Sequence, residues 1–91
     1  MNLFSRFWGI VNARGHARIF NEYTGVELSG KKDSECVLRP CTGKATLHIN
    51  GVYRCTSNLC IAKRGLDLPR LMANVTGESQ IEVVQKVVKN H

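Results

Sequence analysis

Four cysteines constrain this chain more than any other feature: Cys36-x4-Cys41, then thirteen residues, then Cys55-x4-Cys60. Two close pairs separated by a hairpin-length insert are the layout of a zinc ribbon. Each pair occupies a short turn, and the hairpin brings the two turns together around one tetrahedral ion. Four thiolates close the coordination shell and leave no position for an activated water. Such a site is structural, not catalytic. The alternatives are two disulfides, four unrelated buried thiols, or an iron–sulfur cluster, which also accepts four thiolates. The paired spacing favours one structural Zn2+ held by Cys36, Cys41, Cys55 and Cys60.

The setting agrees with that reading. Ninety-one residues make one small domain, near the size at which an apolar core alone gives marginal stability, so a metal staple is useful. A hydrophobic content of 43% excludes wholesale disorder. The opening Met1–Trp8 stretch has no long apolar run and no Ala-x-Ala-like cleavage site, which predicts no signal peptide. No segment approaches the roughly 18 apolar residues of a membrane span. The expected location is cytoplasmic, where paired cysteines are more often metal ligands than disulfides.

The pattern around the cysteines predicts an α+β domain, a hairpin-based ribbon flanked by helices. Apolar Phe7, Ile10, Val11, Ala17, Phe20 and Tyr23 have near-helical spacing, interrupted by Gly15, and predict one or two short helices between about Phe4 and Tyr23, within an N-terminal segment over 4–30. Val26–Leu28, between Gly25 and Gly30, is a possible short strand. Ala45–Ile49 and Val52–Cys55 flank Asn50-Gly51, the preferred pair for a type I′ hairpin turn, and define the core of a ribbon over 34–62. Over 66–90, two helices are expected. Asp67 with Pro69 starts the first, which carries Leu68, Leu71, Met72 and Val75. Ser79 and Glu82 form a capping box for the second, with Ile81, Val84 and Val88 as its stripe and Val83 and Val87 widening it.

Charge is concentrated on the ribbon. Of the net +6, residues 1–30 contribute +1, residues 31–64 contribute +5 and residues 65–91 contribute zero. Such a segment can meet a polyanion or can serve as a solvated face that keeps the protein in solution. If it binds nucleic acid, Lys44, Arg54, Lys63 and Arg64 are the expected phosphate contacts, and Tyr53 and His48 can stack on bases. Tyr53 can equally be a core aromatic beside the metal, and His48 a plain surface residue. Lys63 and Arg64 can also offset the −2 charge of a Zn(Cys)4 centre.

In collinear order, several stretches resemble the N-terminal zinc-binding domain of bacterial and phage DNA primases, over about Ile19 to Val88. Ile19–Val26 is similar to the family's opening helix, which ends in Glu-Tyr and an apolar residue, and Gly30 falls where the family has a glycine before the first ligand. Lys44–Ile49 resembles the Lys-Thr-Pro-Ser-Phe-x-Val stretch after the second ligand, and Tyr53–Cys55 the aromatic-x-Cys that opens the second pair. Gly65–Met72 is similar to the Gly-Asp-x-Ile-x-Phe-Leu-Met run, and Glu82 with its two valines to the Glu-Ala-Val of the last helix. Here Cys41 stands in place of the family's histidine, both gaps are four, and the proline is missing. The resemblance implies a domain that grips single-stranded DNA template while a separate acidic, metal-dependent domain makes the primer.

Too few clustered carboxylates are present for that polymerising chemistry, so no catalysis is expected. The expected function is a stand-alone zinc-ribbon accessory that binds single-stranded DNA for a primase or other replication enzyme, of a kind suited to a phage or mobile element. The alternatives are an adaptor or decoy docking onto a primase, helicase or polymerase, through the ribbon or the Phe4–Trp8 aromatics, and a regulator of duplex DNA. Neither a small-molecule substrate nor a membrane is expected.

Overall fold

The computed structural model describes residues 2–28, 34–38, 41–48 and 51–91. Within them the chain is α+β: four α-helices, a three-stranded antiparallel sheet and one 3₁₀ turn. The N-terminal segment forms α1 (Leu3–Arg14) and α2 (His16–Thr24), broken at Gly15 as the spacing predicts. Asn2 starts α1 by accepting the Ser5 N–H through its side-chain oxygen at 2.8 Å, which satisfies one of the orphan donors of a helix start.

Val26–Leu28 is not a strand. Its Leu28 N–H donates to the Asn21 side-chain oxygen, which anchors the segment to α2, while Leu28 itself is buried. The first strand is instead β1 (Ser34–Glu35), followed by β2 (Lys44–Leu47) and β3 (Tyr53–Cys55), in the order β1-β2-β3. Ser34 opposes Ala45, and across the hairpin Ala45 opposes Cys55, Thr46 opposes Arg54 and Leu47 opposes Tyr53.

That register corrects the expected turn. A two-residue Asn50-Gly51 turn would pair position 49 with Val52. The structure pairs His48 with Val52: the His48 N–H donates to the Val52 carbonyl at 2.9 Å, and the Gly51 N–H to the His48 carbonyl at 2.8 Å. Three residues therefore separate the last pair, and Gly51, at φ +83°, holds the left-handed position that closes such a loop. Ile49 and Asn50 lie outside the described residues. A β-carbon at Gly51 would collide with the His16 imidazole at the start of α2, so the hairpin end is set against the α1–α2 corner.

The chain then makes a 3₁₀ turn (Ile61–Arg64) and two helices, α3 (Leu68–Thr76) and α4 (Gln80–Asn90). Both starts follow the sequence. The Arg70 N–H donates to Asp67 at 3.1 Å, and Ser79 and Glu82 bond reciprocally at 3.2 and 3.4 Å. The buried face of α4 is Val83, Val84 and Val87, with Val88 half-buried. Ile81 does not join it and stays 55% exposed, on the flank of the first turn.

The helices pack α1 and α3 on α4, and α2 on α3. Phe7, Val11, Ile19, Phe20, Leu68, Leu71, Met72 and the α4 valines interlock in their shared core. The sheet is coupled to this layer by paired backbone bonds between Tyr53 and Leu66, both 2.8 Å, just before α3 begins. No helix among the described residues is long and apolar enough to cross a membrane.

Candidate metal centre

The sheet delivers the cysteines from four different positions. Cys36 follows β1, Cys41 precedes β2, Cys55 ends β3, and Cys60 immediately precedes the 3₁₀ turn. Their sulfurs all lie within 4.8 Å of one another, a cluster able to hold a metal ion. Two contacts run crosswise: Cys36 to Cys60 at 3.8 Å and Cys41 to Cys55 at 3.6 Å. Neither joins the two cysteines of one sequence pair. A disulfide needs a sulfur separation of about 2.05 Å, and all four thiols are free.

Three of the four sulfurs receive a backbone N–H from the residue two positions on. Gly43 donates to Cys41 Sγ at 3.4 Å, and Leu38 and Ala62 donate to Cys36 and Cys60. Donors aimed at sulfur favour the thiolate, which is the form that binds metal. Burial works against it. Desolvation pushes the Cys36 thiol up to about 12 and raises Cys60, whereas the Gly43 N–H is the main cause that lowers Cys41. A cation among the four sulfurs would offset that desolvation cost and favour the thiolate form.

Gly43 fits this site by size. Besides donating to Cys41, its carbonyl accepts the Cys36 N–H at 3.0 Å. A β-carbon there would stand 2.9 Å from both Cys55 Sγ and the Ser57 β-carbon. One residue thus touches three of the four cysteine units. Sequence reasoning gave Gly43 no role, although a glycine two residues past a ligand signals close backbone approach.

Tyr53 requires a correction. It is 2% exposed, and its hydroxyl accepts the Val37 N–H at 3.0 Å. Strand alternation explains this, since Tyr53 and Cys55 share a face and Cys55 points at the sulfur cluster. Tyr53 is therefore the core aromatic beside the site and has no face free to stack on a base.

The other candidates are all exposed: Lys44, His48, Arg54, Lys63 and Arg64. The fold gathers most of them. The Thr56 N–H donates to the Lys44 carbonyl at 2.8 Å, the Lys44 N–H to Thr56 Oγ1 at 3.3 Å, and Lys63 Nζ to the Thr56 carbonyl at 3.4 Å. Arg54 lies against Gly65, the residue after Arg64, where a β-carbon would be 3.4 Å from its Nε. His48 stands at the opposite end of β2. Among the described residues, the ion pairs are Arg18–Glu22, Glu78–Lys86 and His91–Glu22, and none engages the basic residues of the sheet.

Comparison with known proteins gave no match to a family model, a curated protein or a solved structure.

Proposed function

We propose that this chain is a zinc-ribbon protein that binds single-stranded DNA through its basic outer face, as an accessory to a primase or other replication enzyme and without catalysis of its own. The observation that carries the reading is the grouping of Lys44, Arg54, Lys63 and Arg64 around Thr56 and Gly65; none of them forms an ion pair among the described residues, although Glu35 opposes Lys44 across β1 and β2. Those cations lie along two strands and a following turn, an extended arrangement that suits a phosphate backbone. With Tyr53 in the core, attraction comes from phosphate contacts and is tolerant of base sequence. The resemblance to primase zinc domains supplies the replication setting.

Zinc is the ion that suits the cysteines. Four thiolates select a soft or borderline cation. A tetrahedral ion with metal–sulfur bonds of about 2.3 Å sets its ligands about 3.8 Å apart, against the 3.6 and 3.8 Å of the two crosswise contacts. Sulfurs this close leave room for a single ion rather than a multi-iron core. The closed shell makes the role structural, on the order of 10 kcal/mol for sites of this kind.

Two measurements test the reading. Native mass spectrometry is expected to find one zinc per chain, lost together with the fold on strong chelation or in Cys55→Ser. Fluorescence anisotropy with labelled single- and double-stranded oligonucleotides is expected to give tighter binding to the single strand. Preference for the duplex would make the protein a duplex-binding regulator. Absence of binding to either at low salt would leave the basic segment a solvated face.

A further inference from the structure

The four clustered cysteines are unequally covered. Cys36 is 7% exposed and Cys55 4%, whereas Cys41 and Cys60 are half-buried. In each sequence pair the second cysteine is the open one. Both open cysteines line one groove of about 430 Å³, together with Leu38, Thr42 and Ser57 among others. The groove admits molecules the size of water or peroxide, so solutes of that size reach two of the four sulfurs. Each open sulfur also meets a covered one: Cys41 lies 3.6 Å from Cys55, and Cys60 3.8 Å from Cys36. An accessible cysteine beside a second one that can close a disulfide is the arrangement of reversible thiol oxidation.

We propose that Cys41 and Cys60 are oxidation sites for hydrogen peroxide, with Cys55 and Cys36 as their respective resolving partners. The Cys41 sulfur attacks one peroxide oxygen. An S–O bond forms, the O–O bond breaks, and the second oxygen leaves as hydroxide, which takes up a proton to become water. Cys55 then attacks the sulfenic sulfur of Cys41, the S–O bond breaks, and its oxygen leaves as a second water. Two sulfurs have each given up one electron, and one peroxide has become two waters. A second peroxide takes Cys60 and Cys36 through the same steps. The first bond is decisive for any metal in the cluster. A disulfide draws its sulfurs to about 2.05 Å, against about 3.8 Å in a tetrahedral shell, and only two thiolates are left over. Metal release therefore rests on the zinc reading of the cluster, whereas the pairing needs only the four thiols as the fold places them.

The test treats the full-length, zinc-loaded chain with stepwise additions of hydrogen peroxide. Dimedone traps sulfenic acid, a chromophoric chelator reports released zinc, and tandem mass spectrometry maps the disulfides. Trypsin does not cut between Cys36 and Cys41, because Arg39 precedes Pro40, and no Lys or Arg lies between Cys55 and Cys60. A crosswise disulfide thus joins two peptides, while one within a sequence pair leaves them separate. Dimedone is expected on Cys41 and Cys60 at least tenfold over Cys36 and Cys55. The disulfides expected are Cys41 with Cys55 and Cys36 with Cys60. One zinc should be released as the first forms, and rebound after dithiothreitol and fresh zinc. A chain that takes up no zinc should form the same bonds without a metal signal, so failure of the zinc reading is told apart from failure of this one. Bonds within a sequence pair, or between Cys41 and Cys60, would overturn the proposal, and so would dimedone spread evenly over all four cysteines. Thiols that survive peroxide sufficient to oxidise free cysteine, or that pass directly to sulfinic acid beyond the reach of dithiothreitol, would overturn it as well.

Discussion

A β-carbon on Gly43 would stand 2.9 Å from the sulfur of Cys55, closer than real side chains approach. The obstruction on the other side is no softer, since the Ser57 β-carbon is equally near and its backbone nitrogen lies at 3.3 Å. Gly43 is thus a wall of the cysteine cluster, fixed by size and by its N–H on Cys41.

Gly43→Ala should therefore damage the centre without removing a ligand. Outer partners of metal ligands typically affect affinity by about 10–100-fold, and a loss of that order is expected. Competition against a chromophoric chelator measures it. Unchanged affinity would mean that the turn after Cys41 relaxes freely.

Tyr53 separates a structural role from a nucleic-acid one. Tyr53→Phe keeps the ring and deprives the Val37 N–H of its partner, which should lower stability by about 1–3 kcal/mol. Tyr53→Ala should lose about 3–5 kcal/mol, as large-to-small changes of a buried aromatic do. Urea unfolding of the zinc-loaded protein gives both numbers. Oligonucleotide affinity of Tyr53→Phe should equal that of the parent, and a selective loss there would return the ring to the binding surface.

Salt dependence tests the basic face. Three or four phosphate contacts on a single strand give a slope of log K against log salt near −2 to −3, at about 0.7 per contact. Lys44→Ala should make the slope shallower by about 0.7. Lys89→Ala, on the exposed side of α4, should leave it alone. Lys86 is a poor control because it is paired with Glu78. Equal effects at Lys44 and Lys89 would remove the special status of the sheet face.

The far end of the molecule should respond to alkali. Tyr23 donates its hydroxyl proton to Glu78 at 2.7 Å, and burial, then that bond and the Glu78 charge, push it up to about 12 from an ordinary 10. A group raised on folding stabilises fully below its unfolded value and loses that contribution as pH climbs through the folded one. Stability should hence fall between pH 10 and about 12, and less steeply in Tyr23→Phe. Thermal melts across that window provide the comparison; parallel curves would mean that the bond does not persist in solution.

Much of this was legible from residue order, and the failures have specific causes. The caps at Asp67 and Ser79 and the break at Gly15 are local events, decided within one turn of helix, and they fell where the sequence put them. The cysteine cluster was legible because hairpin topology leaves paired cysteines few other arrangements. The crosswise contacts were not, since they depend on how two turns face each other in space. At the hairpin, the same glycine serves a two-residue turn or the left-handed end of a three-residue loop, and only the register decides. Tyr53 was readable in retrospect, two residues before a ligand on the same strand face. Ile81 had the right spacing, but its place in the first turn carries it past the edge of the surface that α1 and α3 cover.

The paired bonds between Tyr53 and Leu66 give the molecule one mechanical seam. The sheet and the helical layer are expected to open together, because the strand that ends in a clustered cysteine is laced to the residue that leads into α3. On the proposed zinc reading, loss of the ion would loosen β3, and with it the partner of Leu66. Protection of the α3 amides is consequently borrowed from the sulfur cluster, a debt that runs through two hydrogen bonds.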